Sequence, residues 1–114
     1  MKKRGYVPDR GDIVWLQFNP QSGHEQAGHR PALVLSPAGY NRASGLMLCC
    51  PMTSQKKGYP FEVVISEDPH RTSVILADQV KSVDWKTRQA VKKGSASPNV
   101  VMETLSKLHA LLEQ

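Results

Sequence analysis

The chain has 114 residues, 39% of them hydrophobic and 22% charged, and carries a net charge of +5. That composition belongs to an ordinary globular chain and excludes a disordered one, and the length predicts a single domain over residues 1–114. The apolar runs Ala32–Leu35 and Val63–Ile65 are too short to span a bilayer. The basic start Met1-Lys2-Lys3-Arg4 leads into polar Gly5–Arg10 instead of the apolar stretch of an export signal, so a cytoplasmic location is expected. An excess of Lys and Arg, with small clusters at Lys2–Arg4, Lys56-Lys57 and Lys92-Lys93, suits a polyanionic partner without requiring one.

In chain order, Ile13–Phe18 is rich in β-branched and aromatic residues and lies between two turn signals, which predicts a strand. Gln21–Arg30 holds glycines, histidines and a glutamate with no apolar period, and predicts a long polar loop of the kind that often carries function. Pro31–Ser36 predicts a second strand, apolar at consecutive positions and so buried on both faces. Pro37–Gly45 is a turn region with room for one helical turn around Tyr40. Leu46–Met52 predicts a third strand, Thr53–Pro60 a basic loop, and Phe61–Ser66 a fourth strand. After a turn at Glu67–Arg71, Ser73–Leu76 and Gln79–Val83 predict a fifth strand, broken or bulged near Asp78. Ser97-Pro98 offers an N-cap and a first-turn proline. Val101, Leu105, Leu108 and Leu112 then mark one apolar face of a helix. Short strands followed by one terminal helix predict a mainly β fold, a small barrel or twisted sheet with the helix packed on it.

The two cysteines, Cys49 and Cys50, are adjacent, so on a strand they point to opposite faces, one into the core and the other away from it. They are poorly placed for a disulfide and have no zinc-site spacing. His24, His29 and His70 match no metal-ligand pattern, and neither a metal nor another cofactor is expected. Both thiols fit a reducing compartment.

Two stretches concentrate chemistry. In Gly23–Pro31, Glu25, His24, His29 and Arg30 lie close together, and the proline after Arg30 biases that residue to an extended conformation. An anion site with the guanidinium on a phosphate is one reading, with Glu25 or a histidine moving protons. A Glu25–Arg30 salt bridge closing a loop is the other, and spacing alone favours it. In Thr53–Pro60, Thr53 and Ser54 leave a strand end and Lys56 and Lys57 follow; on its own this is an ordinary polar loop. Trp15, Phe18, Tyr40, Tyr59 and Trp85 are available for base stacking, with Trp15 expected to be structural and Tyr59 the better candidate.

Taken together, these stretches resemble the MazF/PemK-like endoribonuclease toxins of bacterial toxin–antitoxin pairs, and among them the MazF branch. The resemblance runs through Tyr6–Asp9, Gly11–Trp15, Glu25–Pro31, Val34–Pro37, Thr53, Lys57–Val63 and Leu76–Ser82. The Gly28-His29-Arg30-Pro31 and Ala77-Asp78-Gln79-Val80-Lys81-Ser82 blocks are its most specific parts. It implies the small SH3-like barrel of the MazF, PemK and CcdB-type toxins with a C-terminal helix, a homodimer, and a groove for single-stranded RNA. It implies cleavage of messages at short sites, ACA-like ones in this branch, without metal. The expected ends are a 2′,3′-cyclic phosphate and a 5′-hydroxyl. A cognate antitoxin would lay an acidic segment over the same groove.

By position, Arg30 matches the catalytic arginine of the family, Thr53 its partner threonine, and Glu25 a residue important for cleavage. Other branches carry an arginine two residues before the Asp-Gln pair; here Leu76 stands there, which shifts weight to Arg30. His24, Gln26 and His29 on one side and Ser54, Gln55, Lys56, Lys57 and Tyr59 on the other are expected to contact RNA, with Gln79 and Lys81. Two rivals use the same fold: a toxin that poisons DNA gyrase by binding protein, and a barrel that binds RNA without cutting it.

Overall fold

Strand β1 (Asp12–Phe18) and strand β2 (Gly28–Val34) form an antiparallel pair whose register runs from Ile13–Leu33 to Phe18–Gly28. The computed structural model describes residues 5–18, 28–66 and 72–113. The expected loop ending at Arg30 is therefore three residues too long. Gly28, His29 and Arg30 belong to β2, because their backbone groups pair with Phe18, Gln17 and Leu16 whatever their side chains prefer. The rest of that loop, with the turn at 67–71 and His70, lies outside the described residues.

Helix α1 (Ala38–Ser44) runs nearly two turns where one was expected. It stops at Gly45, which takes the left-handed conformation at φ 77°. Strand β3 (Leu46–Thr53) then becomes the centre of the sheet. Ala32, Leu33 and Val34 of β2 pair with its residues Pro51, Cys50 and Cys49. On its other side its first half pairs with β6 (Lys81–Asp84), and its last two residues pair with β5 (Ser73–Leu76). The expected fifth strand is thus two strands, parted by a single tight turn at Ala77–Gln79 that lets each follow a different half of β3. Strand β4 (Glu62–Ser66) pairs with β5 at one end of the sheet.

Strand β7 (Val91–Ser95) pairs with β1 at the other end and has no counterpart in the sequence reading. It is an exposed edge strand with one large apolar residue, so it shows none of the period-two alternation that marks a half-buried strand. Helix α2 (Pro98–Leu112) starts as expected, with the Val100 N–H donating to the Ser97 side chain at 3.3 Å and Pro98 in the first turn. Val101, Leu105 and Leu108 pack on the core, but Leu112 is 75% exposed, because the helix face outlasts the sheet beneath it. The result is mainly β, a curled antiparallel sheet with a C-terminal helix.

The core divides between the two faces of β1–β3. Ile13, Leu33, Cys50 and Met52 meet Val63, Ile75 and α2 on one face; Val14, Leu16, Ala32, Val34, Met47 and Cys49 meet Val83 and Trp85 on the other. Ala32–Leu35 is buried throughout, as the consecutive apolar run required. Cys49 and Cys50 do point to opposite faces, but both are buried, since each face of the curled sheet has its own cover. The expectation of one core thiol and one outside the core is corrected accordingly.

Burial raises the Cys49 thiol from its ordinary 9.0 to about 11 and the Cys50 thiol to about 12. Above about pH 9 the unfolded chain releases these protons while the folded chain keeps them, so stability should fall as pH rises, by up to ~1.4 kcal/mol per pH unit per thiol. Urea denaturation from pH 7 to 10 should show that decline, and a Cys49→Ala, Cys50→Ala double variant should flatten it.

Candidate active site

Arg30 and Thr53 are delivered by two neighbouring strands. The β2–β3 register ends at the pair Ala32–Pro51, and two positions further along each strand stand Arg30 and Thr53. Arg30 is also fixed from its other side, where β1 pairs Leu16 with it, and Thr53 is fixed by Val74 of β5. The arginine, expected on a loop, is thus held at the exposed end of a paired strand. The Gln55 N–H donates to the Thr53 hydroxyl oxygen at 3.1 Å. A hydroxyl that accepts this bond still has its own hydrogen to give, so Thr53 is prepared as a donor.

Two cavities open on either side of this pair, and both are lined by Arg30, Met52 and Thr53. The larger, about 390 Å³, adds Trp15, His29, Pro31, Ser54, Ser73 and Lys93. Lys93 reaches over the Trp15 ring at 5.3 Å, and the Trp15 and His29 rings stand 6.2 Å apart and tilted by 40°. None of its described lining residues is a carboxylate, so Arg30 and Lys93 give it a positive field suited to phosphate. The smaller, about 230 Å³, adds Pro51, Gln55, Lys57, Tyr59, Glu62, Leu76, Asp78 and Gln79. Its amides, the Asp78 carboxylate and the Lys57 ammonium mix donors with acceptors, beside the 61% exposed Tyr59 ring. Such a lining can read base edges and offer a stacking face.

Of the expected site residues, Arg30, Thr53, His29, Ser54, Gln55, Lys57, Tyr59 and Gln79 line one or both cavities. Lys56 and Lys81 do not line them; Lys56 is exposed in the β3–β4 loop and Lys81 pairs with Cys49 on β6. His24, Glu25 and Gln26 lie outside the described residues. Trp85 is not available for stacking: it is 6% exposed, and its indole N–H donates to the Asn41 carbonyl at 2.9 Å. Trp15, expected to be structural, instead stands half-buried in the wall of the larger cavity. Lys93, Ser73, Glu62 and Asp78 were not singled out for the site. The Lys92-Lys93 cluster was a signal for the first, but only the pairing of β7 with β1 brings it beside Trp15.

A family model described as PemK-like, MazF-like toxin of type II toxin-antitoxin system matches residues 9–112. The chain belongs to that family. It is 53% identical over 107 residues to the protein named endoribonuclease toxin MazF of Escherichia coli K12, covering 94% of this chain and 96% of the relative. It is 40% identical to the endoribonuclease toxin ChpB of the same organism, covering 92% and 94%. Among solved structures, a MazE-MazF crystal structure from Deinococcus radiodurans superposes with a TM-score of 0.88 at 52% identity, covering 96% of this chain and 99% of that one. These likenesses span the strands that carry Arg30 and Thr53 as well as the helix.

Because Trp85 is buried and Trp15 lines the larger cavity, the two tryptophans should respond differently to a ligand there. A short single-stranded oligonucleotide should change the fluorescence of Trp15, and Trp15→Phe should remove most of the response. A full response in Trp15→Phe would contradict the placement of the ligand against Arg30.

Proposed function

We propose that this chain is the endoribonuclease toxin of a type II toxin–antitoxin pair. It cuts single-stranded RNA, chiefly messages, at short ACA-like sites in the cytoplasm and so arrests translation and growth. It acts as a homodimer of single-domain subunits, and a cognate antitoxin lays an acidic segment over the basic groove. The reading rests on one observation above the others: Arg30 and Thr53, on neighbouring strands, form the shared wall of a cationic cavity and a mixed polar one. A phosphodiester seated there would have its charge on the pair and its flanking nucleotides in the two cavities. The relatives named endoribonuclease support the same reaction.

Cleavage without metal needs three things from the protein: a base for the 2′-hydroxyl, stabilisation of charge growing on the phosphate oxygens, and a proton for the leaving 5′-oxygen. Arg30 clamps the phosphate through its fork of N–H donors, and Thr53 donates its free hydroxyl hydrogen to it. Arginine stays protonated in proteins and is a poor base; Glu25 takes the 2′-hydroxyl proton, with His29 as the other candidate. The 2′-oxygen then attacks phosphorus, the bond to the 5′-oxygen breaks, and the departing 5′-oxygen takes its proton from water. The products are a 2′,3′-cyclic phosphate and a 5′-hydroxyl end. A protein-binding poison of gyrase would have no use for a paired arginine and threonine between two cavities.

The test is cleavage of a long single-stranded RNA in EDTA, with the ends mapped by primer extension. Cuts at one short motif are expected, and Arg30→Ala should lower the rate by at least about 10²–10³-fold, the usual loss for one electrostatic stabiliser. Intact RNA from the folded wild-type protein would overturn the reading and make gyrase inhibition the next assay. In the pH–rate profile Glu25→Gln should remove the acidic limb; an unchanged limb would pass the base role to His29.

A further inference from the structure

The β3–β4 loop, residues 54–60, is anchored at its ends by Thr53, which accepts from the Gln55 N–H, and by Lys107 of α2, which donates to the Pro60 carbonyl at 2.6 Å. Its middle turns through Gly58 at φ 83°, a conformation that favours glycine. There the loop meets Glu62, the first residue of β4, which is 9% exposed. The Glu62 carboxylate accepts the Gly58 N–H at 2.9 Å and the Lys57 N–H at 3.1 and 3.2 Å. The backbone N–H of Glu62 in turn donates to the Tyr59 carbonyl at 3.1 Å. Successive backbone N–H groups converging on one carboxylate make charge-assisted bonds, stronger than those of a neutral loop.

We propose that Glu62 is a positioning residue for base selection: its carboxylate sets the loop so that Gln55, Lys57 and Tyr59 meet the nucleotide in the smaller cavity. This rests on the cleavage reading above and extends it to a residue that need not touch RNA. Glu62 and the three presented residues all line that cavity, while Arg30 and Thr53 are held separately by their strands. Losing the Glu62 clamp therefore loosens recognition and leaves the chemistry on its strands.

The test compares wild type with Glu62→Gln, which keeps the length and one accepting oxygen, and with Gly58→Ala, which strains the same turn without touching the carboxylate. Mapped cleavage of an RNA library, steady-state kinetics, and amide exchange at Lys57 and Gly58 are measured on each. Both variants should exchange these amides faster, raise KM about tenfold and relax base preference on one side of the cut, with kcat within about twofold. A merely structural role would lower thermal stability and active fraction without changing which base is preferred. Unchanged preference in both variants, with cleavage intact, overturns the proposal and leaves the nuclease reading standing. An inert wild type overturns both. Should Glu62→Gln fail to fold, Gly58→Ala decides by the same readouts.

Discussion

The pairing of β3 on both of its edges, and the burial of Met47 and Cys49 on one of its faces and of Cys50 and Met52 on the other, hold the rest in place. Cys49 and Cys50 fill opposite halves of the core, β2 runs along one edge, and β6 and β5 divide the other. A strand so enclosed has little freedom in register, because a one-residue slip would exchange its two buried faces. That rigidity carries to its end, where Thr53 leaves the core beside Arg30. Geometry at the level of a hydrogen bond is needed to bind a phosphate, and groups on paired strands hold it better than groups on loops.

The same arrangement separates two tasks. Strands present the groups that would handle the phosphate, and the 54–60 loop presents those that would handle a neighbouring base. The loop is tied down by a carboxylate and a lysine instead of a sheet ladder. Such a loop can change its side chains without disturbing the strands. This is a physical route by which chains of one fold keep one chemistry and differ in the sequence they prefer.

Much of this was legible in the residues. The apolar run Ala32–Leu35, the β-branched and aromatic run Ile13–Phe18, and the Ser97-Pro98 start of α2 each carry a local signal that tertiary structure did not override. Arg30 and Thr53 became candidates through the resemblance, since spacing alone favoured a Glu25–Arg30 salt bridge and an ordinary polar loop after Thr53. What escaped was set by partners distant in sequence. The early start of β2 depends on β1, and β7 is a strand only because β1 offers it an edge. Trp15 and Lys93 meet through that same edge. Glu62 looks like any strand-initial glutamate until the chain folds back on it at Lys57 and Gly58.

The proposed cleavage turns on Arg30 and Thr53 acting together on one phosphate. A double-mutant cycle of Arg30→Ala and Thr53→Val, read by single-turnover RNA cleavage, measures it directly. Joint action predicts strong non-additivity, the double variant cleaving almost as well as Arg30→Ala alone. Losses that multiply in full would contradict it and place the two side chains on separate parts of the substrate.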